Sequence, residues 1–178
     1  MKNILKIALV AVAIILPTIA RAEGAKIGVM DLVRIGEEAR VMKSLNSQRD
    51  AAVGKIRSEV EAKGREFRQK EQEVAAKRGL ITDEAFMREA SRFQADVVEY
   101  DRQTAARMAG IETAYLEALR KVQRDHLDDI AKKIGNQKGF DIIVNAQAAI
   151  IINSSLDITS EVIKELDSKI RELDLGIK

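Results

Sequence analysis

The stretch Lys77-Arg78-Gly79-Leu80-Ile81-Thr82-Asp83 interrupts a run from residue 37 to 135 that contains no proline and is rich in Ala, Glu, Lys, Arg and Gln. This composition favours helix on both sides of the interruption. Gly79 suits the left-handed residue that follows a helix end, and Thr82 is a suitable N-cap for a returning helix. We therefore expect two helices of roughly 35 residues, each about 50 Å long, folded back on each other with their tip near residues 77–83.

The apolar residues of these predicted arms recur at helical spacing, but sparsely. In the first arm they recur every seven residues, at Val53, Val60, Phe67 and Val74. Two of the intervening seam positions hold Lys63 and Lys70, so the seam is weaker than that of a regular coiled coil. Gly54 and Gly64 lie within the helix, where each costs roughly 1 kcal/mol relative to alanine. The arms should therefore be helical but neither rigid nor fully buried.

The residues that flank the arms predict a small β-sheet and a final helix. Alternation in residues 26–31, with Ile27, Val29 and Asp31 on one side, indicates a strand. Two β-branched runs, residues 140–145 and 149–153, predict two more strands. We expect Gly135 and Gly139 to end the second arm, and a last helix to run from a cap at Asp157 or Thr159 to about Leu173. The fold class is α+β, mostly α.

Such a base buries too little apolar surface to be stable alone. In a single chain the alternating isoleucines and valines of the last two strands would remain partly exposed, namely Ile142, Val144, Ile150 and Ile152. We therefore expect an oligomer whose subunits complete one another's sheet.

The first 22 residues have the layout of a secretory signal peptide. A basic lead is followed by the apolar run Ile7–Leu16, and Ala20-Arg21-Ala22 forms a small-residue cleavage site. The whole chain has 30 basic and 28 acidic residues; without the three bases of this leader, 27 and 28 remain, a net charge of −1. The chain has no cysteine, so no disulfide stabilises the exported protein.

Several short stretches resemble the Skp (OmpH-like) family of periplasmic chaperones. They are Lys26-Ile27-Gly28-Val29-Met30-Asp31, Phe140-Asp141-Ile142-Ile143-Val144, and Asn153-Ser154-Ser155 followed by Asp157-Ile158-Thr159. The resemblance implies a homotrimer in the periplasm of a Gram-negative bacterium. It implies a central β-barrel body from which three helical hairpins extend as tentacles, and a cavity between them that holds unfolded outer-membrane proteins. The leading hypothesis is an ATP-independent holdase that prevents aggregation of these clients on their way to the outer membrane.

On this interpretation residues 23–40 and 135–178 form the β-rich trimerisation body, and residues 41–134 form the arm. The residues expected to build the trimer body are Ile27, Val29, Ile142, Val144, Ile150 and Ile152. The chain departs from the strongly cationic arms of many family members, because residues 63–92 hold eight bases and six acids. Apolar contact is therefore the better explanation for client capture than charge.

The candidate client-binding residues are apolar side chains near the tip, namely Phe67, Val74, Phe86, Met87 and Phe93. The alternative is that they pack only between the two arms, as apolar stripes on helices usually do; this alternative is strongest for Phe67 and Phe93. Basic residues surround them, namely Lys70, Lys77, Arg78, Arg88 and Arg92. These either form a solvated face or contact anionic membrane lipid.

Enzymatic chemistry is not indicated. His126 is the only histidine and there is no cysteine, so no zinc site is predicted. The chain has neither a phosphate-binding nor a dinucleotide-binding glycine motif, and we expect no catalytic residue, metal or cofactor. The net charge of −1 argues against nucleic acid as a partner. The alternative functions are a structural coiled-coil protein of the periplasm and a protein that binds nucleic acid or lipid through its basic tip.

Overall fold

The computed structural model describes residues 24–177, so the predicted signal peptide, residues 1–22, lies outside the described residues. Strand β1 (Ile27–Met30) is followed by a short helix α1 (Leu32–Glu38) and the two arm helices, α2 (Arg40–Ala76) and α3 (Asp83–Val122). A π-helical turn (Gln123–Leu127) joins α3 to α4 (Asp128–Lys138), after which come β2 (Ile142–Asn145) and α5 (Thr159–Lys169). This confirms a mostly helical α+β fold with a long hairpin and a small sheet.

The tip of the hairpin forms as its sequence predicts. Helix α2 ends at Ala76, and Gly79 has a φ of 80° in the left-handed region that glycine alone adopts without strain. Thr82 precedes α3, and its hydroxyl accepts a hydrogen bond from the Ala85 N–H at 3.3 Å. Asp83 lies in the first turn of α3, where the helix dipole favours negative charge.

The sheet at the base consists of β1 and β2 in parallel, with Ile27 opposite Ile142 and Val29 opposite Val144. The whole hairpin is the connection between these two neighbouring strands. Asp31, the last residue of the predicted first strand, is instead the N-cap of α1. Its carboxylate accepts hydrogen bonds from the N–H groups of Val33 and Arg34.

The predicted third strand at residues 149–153 is wrong for the single chain. Ala146–Ala148 form a 3₁₀ turn that ends β2, and residues 149–153 pair with no strand among the described residues. A strand requires hydrogen-bonding neighbours. The outer edge of β1 is already occupied, because Val29 bridges to Asp157 and its carbonyl accepts from the Ile158 N–H at 2.9 Å.

The predicted end of the second arm is confirmed at Gly139 but not at Gly135, and the predicted end of the last helix is wrong by a few residues. Gly135 does not end the second arm; α4 continues to Lys138 and ends at Gly139, which has a φ of 70°. At Gly135 the helix packs closely against β2, because a Cβ there would lie 2.9 Å from the Cδ1 of Ile143. Helix α5 ends at Lys169 rather than Leu173, since Ile170 is extended. The residue at its N-cap is Ile158, although the carboxylate of Asp157 does accept the Thr159 N–H at 2.8 Å.

The hydrophobic core lies where the roots of the arms meet the base. It joins residues from α1, α2, α3, the π-helical turn, α4 and α5, including Ile35, Leu45, Val122, Ile130, Ile158, Val162 and Leu166. Beyond Ile56 in α2 and Ile111 in α3 the packing thins out, and no residue from 57 to 110 is buried. Within residues 24–177 no helix combines the length and the apolar character that a membrane crossing requires.

Candidate binding surface

The interior of the hairpin holds two of the predicted client-binding residues. The Phe67 ring packs edge-on against Phe93, with 6.0 Å between ring centroids, and against Tyr100 at 5.6 Å. Val74 and Phe86 are half-buried as well. This is the packing that the intra-hairpin alternative describes, so these side chains present only part of their surface to a partner.

Met87 behaves differently from the other candidates, because 62% of its surface is exposed. It belongs to a row of exposed apolar residues on α3, with Val98, Met108 and Leu116. The spacings from Met87 to Val98 and from Val98 to Leu116 are close to three and five helical turns, so these three residues lie on one face. This face is roughly 140° from the one that carries Phe93 and Tyr100. Met108 is also exposed but lies roughly 70° to one side of this face. We call these four residues the α3 row.

The sequence analysis missed the α3 row apart from Met87. The second arm presents two apolar faces, one packed against α2 and one exposed to solvent. The 11- and 18-residue spacings were available as a signal. The sequence carries no signal of which of these residues are buried, because burial depends on which face of α3 packs against α2.

Ion pairs link the two arms along their length. Arg107 bonds to Glu59 at 2.6 Å, Lys70 lies 3.6 Å from Asp96, and Lys77 lies 2.7 Å from Glu89. The hydrogen bond from Arg107 lowers the pKa of the Glu59 carboxyl, and the same bond raises the pKa of Arg107. These side chains are largely solvated, so the pairs contribute little to the stability of the fold. These ion pairs join the two arms at three levels along their length.

At the tip, the predicted basic residues separate into two groups. Lys70 and Lys77 are used in the cross-arm ion pairs. Arg78, Arg88 and Arg92 are exposed and make no ion pair within the described part of the chain. Beside them lies Leu80, which is 81% exposed. The tip therefore combines solvated cations with an apolar residue.

The predicted trimer-body residues lie at the base and differ in exposure. Val29 is buried within the chain and Val144 is half-buried. Ile27, Ile142 and Ile152 are all more than a third exposed, and Ile150 is entirely exposed. Neighbouring Ile151 is 90% exposed as well, and it was not among the predicted residues. The base thus presents a cluster of isoleucines to solvent.

Among residues 24–177 no group of three or more His, Asp or Glu side chains is arranged to hold a metal ion. His126 lies half-buried in the π-helical turn.

The sequence model of a protein family, described as outer membrane protein (OmpH-like), matches residues 26–166. The chain belongs to the OmpH-like family. This family consists of chaperones and not of enzymes. The match spans β1, both arms, β2 and most of α5, so the OmpH-like assignment covers every element described above.

A solved structure supports the OmpH-like fold. It is the crystal structure of a protein from Caulobacter crescentus CB15 that is proposed to be an outer membrane chaperone (OmpH-like). It has a TM-score of 0.75 and 19% sequence identity, and the alignment covers 84% of this chain and 88% of that one. At this identity the likeness concerns the fold. No curated protein sequence matches this OmpH-like chain.

Proposed function

We propose that this OmpH-like protein is an ATP-independent holdase for unfolded outer-membrane proteins, acting as a homotrimer in the periplasm of a Gram-negative bacterium. The observation that carries the proposal is the α3 row on an arm that has no buried residue from 57 to 110. Such a face offers apolar contact along most of an arm without forming a core of its own. Membership of a chaperone family supports the same assignment.

Holding requires many weak contacts, because the client must be released again without an energy source. Each side chain of the α3 row contributes up to about 1.5–3 kcal/mol if a client buries it fully. Met87 and Met108 are unbranched and flexible, so they adapt to varied client surfaces. Several such contacts make binding tight, while the loss of any one is small, which suits transfer to the next partner.

The predicted client-binding residues are proposed in two parts. The α3 row, with Met87, is the main contact surface. The half-buried residues Phe67, Val74, Phe86 and Phe93 keep the hairpin folded and add the exposed part of their side chains. Leu80 extends the apolar surface to the tip.

The proposed assembly is a trimer held at the base. The exposed isoleucines there are Ile27, Ile142, Ile150, Ile151 and Ile152. Residues 149–153 are rich in β-branched side chains and lack a partner strand within the described chain. In the proposed trimer, a strand of a neighbouring subunit pairs with them. Completion of the sheet in this way also places three arms around one cavity.

Anionic lipid is a proposed secondary contact of the arm tip. Arg78, Arg88 and Arg92 carry the solvated charge that such a contact needs. The test is co-sedimentation with vesicles of anionic and of neutral lipid. Arginine-to-glutamine substitution at these three positions should abolish binding to the anionic vesicles, and equal binding to both vesicle types would contradict a charge-based contact.

The client-holding proposal is tested by light scattering of a porin diluted from denaturant. A molar excess of the mature trimer should suppress scattering. The triple variant M87S/V98S/L116S should suppress it less, with unchanged mass and helix content. The matched control replaces three exposed polar residues of the same helix, Q103S/T113S/E117S, and should act as the unmodified protein does. Unchanged scattering with the unmodified protein would disprove the holdase function.

A further inference from the structure

Residues 170–177, which we call the strap, follow α5 without regular secondary structure and lie against the roots of both arms. Leu175 of the strap is buried, and Leu173 and Ile177 pack half-buried against the main core. The strap therefore occupies a defined place although no helix or sheet hydrogen bonds hold it there.

A single side chain of α2 ties the strap to the first arm. The Gln48 side-chain amide donates to the Leu173 carbonyl at 2.8 Å, and its oxygen accepts from the Leu175 N–H at 3.0 Å. Gln48 thus acts on the strap backbone as a neighbouring strand would. Both bonds are lost together if this one side chain is removed.

The strap also forms one wall of a groove between the arms. The groove has a volume of about 600 Å³ and is lined by strap residues 174–177 together with residues of α2 and α3. Its apolar lining includes Ile56 and Ile111, the last buried residues before the arms become half-exposed. The strap therefore lies where the packed base gives way to the loosely packed arms.

Both arm helices are weakened at this level. Gly54 lies in α2 and Gly110 in α3, and nothing lies within 4 Å of a Cβ built at either position. The Glu59–Arg107 ion pair shows that these two segments of the antiparallel arms face each other. Packing thus does not require glycine at either site, whereas glycine makes each helix easier to bend there.

We propose that the strap is a clasp that sets how far the arms spread. With both Gln48 bonds in place, the strap joins α5 to α2 and borders the groove at the pivot formed by Gly54 and Gly110. When these bonds open, the strap moves away from the groove and the arms are free to pivot. The clasp belongs to the chain itself, so it is tested without any client and does not depend on the holding activity.

Two measurements test the clasp on the full-length mature protein. The chain lacks cysteine, so a spin-label pair at R78C on the tip and K164C on α5 reports the arm position. Labelled chains are diluted with an excess of unlabelled chains before assembly. Gln48→Ala should broaden the tip-to-base distance distribution and accelerate hydrogen exchange of the Leu175 N–H at least about tenfold, since its acceptor is lost. Gly54→Ala with Gly110→Ala should narrow the distribution, since alanine favours helix.

The matched controls lie outside the pivot. Gln69→Ala removes a similar exposed glutamine farther out on α2, and Gly64→Ala stiffens the same helix beyond the groove. Gln69→Ala should leave the distance distribution and the Leu175 exchange rate unchanged, and Gly64→Ala should leave the Leu175 exchange rate unchanged. The proposal is overturned if Gln48→Ala leaves Leu175 exchange unchanged. It is equally overturned if exchange accelerates while the distance distribution keeps its width, because the strap would then open without moving the arms.

Discussion

At the scale of single residues, Thr159 is the one buried polar side chain among residues 24–177. It is fully buried, its hydroxyl oxygen accepts from the Asp31 N–H at 2.9 Å, and it donates to the Asp157 carboxylate. Arg34 lies 3.8 Å from the other carboxylate oxygen of Asp157. One hydroxyl therefore joins the end of β1 to the start of α5.

Thr159→Val keeps the shape of the side chain but leaves the part-buried Asp31 N–H without an acceptor. We expect the free energy of unfolding to fall by about 1–3 kcal/mol, measured by urea denaturation at one fixed protein concentration. Thr113→Val, at an exposed position of α3, is the matched control and should change stability by less than about 0.5 kcal/mol. Equal effects of the two substitutions would contradict the role of the Thr159 hydroxyl.

The Asp157 carboxyl makes stability depend on pH. Burial raises its pKa, but hydrogen bonds from the Thr159 hydroxyl and N–H, together with the charge of Arg34, outweigh burial and leave the pKa below its ordinary value. A carboxyl with a lower pKa in the folded state stabilises the fold above its unfolded pKa of about 3.9 and loses that contribution as the pH falls further.

Between pH 6 and pH 3 the unmodified protein should therefore lose more stability than Asp157→Asn does. The measurement is the urea midpoint at the two pH values. Asp101→Asn removes an exposed carboxylate of α3, and this control should show the same pH dependence as the unmodified protein. A parallel loss in Asp157→Asn and the unmodified protein would show that another carboxyl is responsible.

Sequence reasoning assigned Asp157 and Thr159 to the start of the last helix, since capping chemistry depends on residues close in sequence. It could not find the bond from Asp31 to Thr159, which joins residues 128 positions apart. Long-range hydrogen bonds of this kind depend on the packing of β1 against α5, and no local pattern encodes that packing.

At the scale of elements, the sequence predicts the hairpin but not which face of each arm helix points inward. Gly79, Thr82 and the proline-free arms are local signals, and the tip formed where they place it. Which apolar residues face inward depends on the rotation of α2 against α3. Val60, one of the predicted seam residues, is more than a third exposed, while the Phe67 seam position packs against α3.

Phe67→Ala tests the assignment of that residue to the hairpin interior. Truncation of a fully buried phenylalanine costs about 3–5 kcal/mol, and Phe67 is half-buried, so we expect a loss of about 2 kcal/mol. Met87→Ala, at an exposed position of α3, should change stability by less than about 0.5 kcal/mol. The measurement is hydrogen exchange of the arm amides together with the urea midpoint. Comparable stabilities for the two variants would place Phe67 on the client surface instead.

At the scale of the whole molecule, the base is the part that the single chain leaves incomplete. The sequence predicted three strands because residues 149–153 are rich in β-branched side chains. The chain forms two, since strand formation requires a partner edge as well as propensity. Propensity is a property of the segment itself. A partner strand must come from another segment or from another chain. For this reason residues 149–153 form no strand in the single chain, and their isoleucines are exposed.

Ile150→Asp tests whether these isoleucines hold the proposed trimer together. The side chain is fully exposed in the single chain, so the substitution should leave the fold of a monomer intact. In an interface it would bury a charge without a partner, which is strongly unfavourable. We expect sedimentation equilibrium to give the mass of three chains for the unmodified protein and of one chain for Ile150→Asp, with similar helix content. Leu80→Asp places the same charge at the exposed tip and should remain trimeric. A trimeric Ile150→Asp would show that the subunits associate elsewhere, and residues 149–153 would then be free to contact clients.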